Sequence, residues 1–245
     1  VDDGSTDGSL DICSWYERAY QNVRVMRMDR GGPSGARNAG VDAAGGRYVS
    51  FIDSDDIVHP FAYRSLLSAS ADTGDDIAIM GTVVRDGFGQ RHYVLDPFRS
   101  DVSDGPIHMD LDEMMFPTKG RRYFFCSSCN KIVRTSIAKK VRAPEHDDFV
   151  GGIMSYEDIA YTPALYSYAN GFSFVHGVCY VWEKRHKVLL DAQSYYYPSS
   201  GIWKEVPFMS FMAAVWSRLF SSRNCDPVHR AAIDGHVLND IRTLW

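Results

Sequence analysis

Tyr48-Val49-Ser50-Phe51-Ile52-Asp53-Ser54-Asp55-Asp56 is an apolar run that passes without a break into three carboxylates. Tyr48 to Ile52 reads as a short strand buried on both faces, with Gly45-Gly46 in front of it and acidic residues behind. Such a strand carries Asp53, Asp55 and Asp56 at its carboxyl end. Open parallel sheets collect ligands at that end, where short loops and helix amino termini leave a crevice. Carboxylates crowded there repel one another, and a divalent cation that prefers hard oxygen donors, Mg²⁺ or Mn²⁺, relieves the repulsion.

Working outward, the flanks read as alternating strands and helices. Asp2 to Gly8 has turn chemistry, and Leu10, Cys13, Tyr16 and Tyr20 recur at helical spacing over Ser9 to Tyr20. Val23 to Met28 alternates like a strand. Gly31-Gly32-Pro33-Ser34-Gly35 is a tight loop, and Ala36-Arg37-Asn38-Ala39-Gly40 opens a helix small enough to lie close to a sheet. Pro60 suits the first turn of a helix reaching Ala71, with Leu66 and Leu67 inward. Ile77 to Val84 is an apolar strand, and Asp86-Gly87 predicts a hairpin returning through His92 to Leu95. This order predicts a layered α/β sheet. Pro97 to Gly120 reads as an irregular acidic loop over the crevice. Tyr123 to Cys126 and Gly171 to Val175 read as extended, Tyr156 to Ala169 as a helix between them, and Val178 to Trp182 as a further strand. Val1 reads as the last residue of a strand, so the sequence is expected to be a fragment whose preceding strand and helix lie outside it.

The totals exclude several functions. A chain of 245 residues with a net charge of -5 has no basic field for gripping a phosphate backbone, so nucleic acid is not expected as a partner. Five cysteines, wide apart except Cys126 and Cys129, suit a reducing cytoplasmic compartment better than a disulfide framework. Asp3, Ser5, Asp7 and Gly8 imitate half of a calcium loop, but its twelfth position is Ser14, where a bidentate Glu is required. Cys126-Ser127-Ser128-Cys129 lacks a second pair at zinc spacing and reads as buried structure. No Walker loop or dinucleotide fingerprint is present. Val206 to Phe220 is rich in Phe, Met and Trp, yet too short and interrupted to span a membrane. It reads as a helix packed on the core or on a second copy of the chain, with docking at the inner face of a membrane as the alternative.

Three stretches, Val1-Asp2-Asp3-Gly4-Ser5-Thr6-Asp7-Gly8-Ser9, Gly32-Pro33-Ser34-Gly35-Ala36-Arg37-Asn38-Ala39-Gly40 and Phe51-Ile52-Asp53-Ser54-Asp55-Asp56, together resemble family 2 of the nucleotide-sugar glycosyltransferases. Tyr156-Glu157-Asp158 resembles the Glu-Asp motif that follows the acidic triplet in that family. The resemblance implies the GT-A fold, α/β with a mixed, mostly parallel sheet flanked by helices. Residues 1–120 would bind the donor, 121–190 would complete the acceptor side, and 191–245 would form a carboxyl-terminal helical segment. It implies an inverting transfer from a UDP-sugar to a glycan or lipid-linked acceptor of capsule, exopolysaccharide or teichoic-acid type. Asp3 matches the acceptor of a hydrogen bond from the nucleobase, Asp55 faces ribose or metal, and Asp56 holds Mg²⁺ or Mn²⁺ against the diphosphate. Asp158 matches the general base, with an amino-terminal helix carboxylate as the plainer reading. Asp53 joins the donor side. Glu157 contacts acceptor or water, and Arg37 touches the diphosphate or pairs with an Asp. Asn130-Lys131 matches a pair with a phosphate or structural role. Two other classes fit less well: a non-catalytic glycan- or partner-binding module derived from this fold, and a nucleotidyltransferase.

Overall fold

The computed structural model describes residues 1–86, 92–95, 105–109, 127–143 and 157–184. Five helices lie among them: α1 (Ser9–Ala19), α2 (Gly32–Ala43), α3 (Ala62–Thr73), α4 (Thr135–Ala138) and α5 (Glu157–Tyr166). The strands are β1 (Tyr48–Val49), β2 (Ile57–Val58), β3 (Ile77–Asp86), β4 (His92–Leu95), β5 (Ile107–Met109), β6 (Lys131–Arg134) and β7 (Phe172–Lys184).

One mixed sheet results, in the order β1-β6-β3-β7-β2, with β4 added beside β3 and β5 beside β7. Its axis is the parallel pair β3 and β7. Around this axis the short strands pair antiparallel: β6 and β4 take successive halves of β3, and β5 and β2 take successive halves of β7. The mixed sheet agrees with expectation, but the balance of directions does not. Among the described residues β3–β7 is the one parallel ladder, and the expected parallel majority is absent. The hairpin β3–β4 is local, and the other antiparallel pairs join strands from distant parts of the chain, so their direction is set by tertiary packing.

Alternation along β3 sets the layers. Ile77 and Ile79 face a core with Tyr161 and Leu165 of α5, Ile137 of α4, Val41 of α2, and Phe172 and Phe174 of β7. Ala78 and Met80 face the other side, where Ala62 and Leu66 of α3 pack with Ile132, Val178 and Tyr180. Both faces are covered, which explains why β3 is apolar without alternation. In α2, Pro33 occupies the first turn, and Ser34, Gly35, Asn38 and Val41 form the buried side. Asn38 fixes that helix by a two-way clip: its Nδ2 donates to the Ala143 carbonyl (2.9 Å) and its Oδ1 accepts from the Ala143 amide (2.8 Å).

Several expectations need correction. The opening strand is ordered only over Tyr48–Val49, and Ile52 is exposed, because the chain leaves the sheet to form the acidic turn. Val23 to Met28 supplies one isolated parallel bridge, Asp2 with Arg27. No residue of α1 is buried, and of the residues that recur at helical spacing Tyr16 and Tyr20 are exposed. Leu66 points inward, but Leu67 is exposed, one position further round the helix. The predicted loop from Pro97 to Gly120 contains β5. The two strands expected over Gly171–Val175 and Val178–Trp182 are one bent strand, β7. Tyr123 to Cys126, the rest of the 97–120 loop and the segment 191–245 with its apolar run lie outside the described residues. No helix among the described residues is long and apolar enough to cross a membrane.

Candidate active site

The acidic turn joins β1 to β2. The Asp56 amide donates to the Asp53 carbonyl (3.1 Å), closing it, and β2 then pairs with β7 so that Val58 lies opposite Tyr180. Pairing brings β7 side chains against the turn. Tyr180 Oη donates to Asp56 Oδ2 (2.6 Å) and accepts from the Asp53 amide (3.1 Å), and the Glu183 amide donates to Asp56 Oδ1 (2.9 Å). Burial pushes the Asp56 carboxyl above its ordinary value, and the nearby charges of Asp53 and Asp55 push the same way, against the hydrogen bonds from Tyr180 and Glu183. Asp55, at the exposed tip, has no hydrogen-bond donor among the described residues.

Arg37 reaches into this turn from α2. Its Nη2 lies 3.5 Å from Asp53 Oδ1, and its Nη1 lies 3.1 Å from Asp158 Oδ1, with the Arg37 side chain only 11% exposed. The contact to Asp158 is one of charge, because the approach is off the line of a hydrogen bond. Asp158 Oδ2 also receives the Ser128 amide (3.4 Å). One guanidinium thus joins the acidic turn to the helix that carries the Glu-Asp motif. Beneath them lies Cys129, whose thiol is pushed up to about 12 by burial and by the charges of Asp53 and Asp158. The turn and Asp158 therefore lie close together, bridged by Arg37. Arg37 thus pairs with two Asp side chains.

Asp3 sits at the amino end of α2, where its Oδ1 accepts from the Gly31 amide (2.6 Å) and its Oδ2 from the Gly32 amide (2.9 Å). Each oxygen keeps a second lone pair, so the carboxylate retains room for another donor. Glu157 opens α5, but its side chain lies outside the described residues. Asn130 and Lys131 are fully buried. Lys131 Nζ donates to the Ser127 carbonyl and to Asn130 Oδ1 (2.8 Å) and sits 5.8 Å from the Tyr166 ring centre, so the pair is structural, fixing the loop that presents the Ser128 amide.

Sequence reasoning missed Tyr180, Glu183, Ser128 and Cys129. Tyr180 lies in an apolar strand among residues that look alike, and a backbone amide has no letter of its own. Only strand pairing reveals them.

Known proteins resemble this chain in sequence and in fold. A model of glycosyl transferase family 2 matches residues 1–142. The matched span holds Asp3, Arg37, the acidic turn and Ser128 and stops before Asp158, which contacts both Arg37 and the Ser128 amide. Among curated relatives, the poly(ribitol-phosphate) beta-glucosyltransferase of Bacillus spizizenii is 40% identical over 152 residues, covering 61% of this chain and 23% of that protein. The cholesterol galactosyltransferase of Borreliella burgdorferi is 26% identical over 183 residues, covering 74% and 49%. The chain thus spans less than half the length of these relatives. Among solved structures, S. aureus TarS 1-349 in complex with UDP-GlcNAc superposes with a TM-score of 0.67 at 22% identity, covering 97% of this chain and 61% of that one. That likeness establishes the GT-A architecture. With a family match over more than half of its length and the matching fold, the chain belongs to glycosyl transferase family 2.

Proposed function

We propose that the protein transfers a sugar from a UDP-sugar to a hydroxyl of a surface glycan, with inversion at the anomeric carbon and with Mg²⁺ or Mn²⁺ as cofactor. The observation that supports the reading is Arg37 in contact with both Asp53 and Asp158, which brings the proposed donor-side carboxylate and the proposed base close together. The donor follows from the TarS complex with UDP-GlcNAc, and the acceptor class from the poly(ribitol-phosphate) glucosyltransferase.

Asp158 would accept the proton of the attacking hydroxyl while that oxygen closes on the anomeric carbon from the face opposite the leaving diphosphate. Arg37 and the Ser128 amide hold the carboxylate in that position. Asp3, at the head of α2, would accept a hydrogen bond from the nucleobase. The residues of the turn suit a hard cation: the donors are all oxygen, and Asp55 is exposed without a donor among the described residues. Among those residues no three His, Cys, Asp or Glu side chains form a closed cage, which suits a cation held by one or two carboxylates and completed by substrate phosphates. Asp55 and Asp56 would hold it. When bound, it supplies positive charge to the departing diphosphate.

Release of UDP from UDP-sugars by the purified protein with Mn²⁺ tests the reading. Asp158→Asn and Asp56→Ala should each remove turnover while leaving the fold intact. Turnover retained in both variants would end the assignment.

A further inference from the structure

The strand β7 contains an irregularity that the catalytic reading does not use. Met80 lies opposite Val175, and the next residue, Gly81, lies opposite Cys179. His176, Gly177 and Val178 are therefore extra on β7, a bulge of three residues. Gly177 sits at its apex with φ +77, a conformation that a residue with a Cβ adopts only under strain.

An odd insertion reverses the faces of a strand. Before the bulge the even-numbered residues Phe172 and Phe174 face the core under α5, and after it the even-numbered Tyr180 faces the core under α3, together with Val178 of the bulge itself. Without the bulge Tyr180 would point away from the acidic turn. With it, the ring is buried and its one polar atom meets Asp56 Oδ2 at 2.6 Å and the Asp53 amide at 3.1 Å. The His59 amide bonds the Cys179 carbonyl (3.0 Å), locking the far end of the turn to the same stretch.

We propose that Tyr180 is a positioning residue for Asp56, delivered by the Gly177 bulge, and that it sets the affinity of the acidic turn for a divalent cation. The inference rests on the reading of Asp56 as a cation ligand given above. A partner that orients a ligating carboxylate changes metal affinity by roughly ten- to a hundred-fold when removed.

The test is calorimetric titration of Mn²⁺ into the protein with saturating UDP, alongside UDP titration without metal and thermal melts. Tyr180→Phe, which keeps the ring that fills the core, should weaken Mn²⁺ binding about ten-fold or more and leave metal-free UDP binding unchanged. Gly177→Ala should weaken Mn²⁺ binding in the same sense with the hydroxyl still present, and Asp158→Asn should not. Wild-type Mn²⁺ affinity in Tyr180→Phe, or equal losses of Mn²⁺ and metal-free UDP binding, would overturn the proposal. Absence of Mn²⁺ binding in the unaltered protein would overturn the cation reading of Asp56, and this inference with it.

Discussion

Two acidic clusters border apolar strands in this chain, and they are treated in opposite ways. Asp75-Asp76 precedes β3, and Asp53 to Asp56 follows β1. The first pair is 4% and 8% exposed and saturated by partners. Asp75 receives the Ser173 hydroxyl and His108 Nδ1, and Asp76 pairs with Arg134 and receives the Asn170 amide (2.9 Å) and Nδ2 (3.1 Å). A Cβ on Gly171 would overlap Asp75 Oδ1, so the chain must be glycine there. In the second cluster the Asp53 side chain is half exposed and Asp55 lies at the surface. Buried carboxylates held by several donors hold the fold together, and carboxylates left open to solvent are available to a ligand.

Substitution should separate the two clusters by their readouts. The largest effect falls on activity: Asp158→Asn should lower the rate of UDP release by about 10²- to 10⁴-fold, the range for a general base, with an unchanged urea midpoint. Loss of both activity and stability would show that Asp158 belongs with the structural cluster. Asp76→Ala should do the reverse, costing about 3 kcal/mol in urea unfolding by leaving Arg134 and Asn170 without their partner. Gly171→Ala should cost about 2 kcal/mol in the same measurement, through forced displacement of Asp75.

Acid titration sharpens the contrast most finely. For Asp75 burial raises the carboxyl pKa, but hydrogen bonds from Ser173, His108 and Thr73 outweigh it, and the net shift is downward. A depressed folded pKa gives stability that is present above the unfolded carboxyl value, near 4, and lost as pH falls through the folded one. Asp75→Asn should flatten that acid limb in a pH series of melts. Asp56 has the opposite sign: its raised pKa favours the neutral form, so stability is present at low pH and declines as pH rises through the folded value. Asp56→Asn should therefore raise the midpoint at neutral pH while abolishing transfer, and a lowered midpoint would contradict the sign.

Much of this was legible from local patterns. The hairpin His92 to Leu95, the helix over Ala62–Thr73 and the strand from Ile77 announce themselves through periodicity and turn residues. Asp53 and Asp56 stood out because charge beside apolar sequence is costly without a purpose, and Arg37 and Asp158 stood out only through the family resemblance. Asp75 and Asp76 carry the same local pattern, so the letters alone did not tell the two clusters apart. Their partners, Arg134, His108 and Asn170, lie 33 to 94 residues away in the chain.

The sequence by itself determined which side chains are able to do chemistry, because residue type and spacing along a strand or helix set charge and direction locally. The tertiary structure decided which of them meet. Arg37 joins Asp53 to Asp158 only because α2 and α5 pack on the same face of the sheet. Tyr180 reaches Asp56 only because an odd bulge reverses one strand. Both are matters of register and packing between distant segments, and no window of sequence contains both partners.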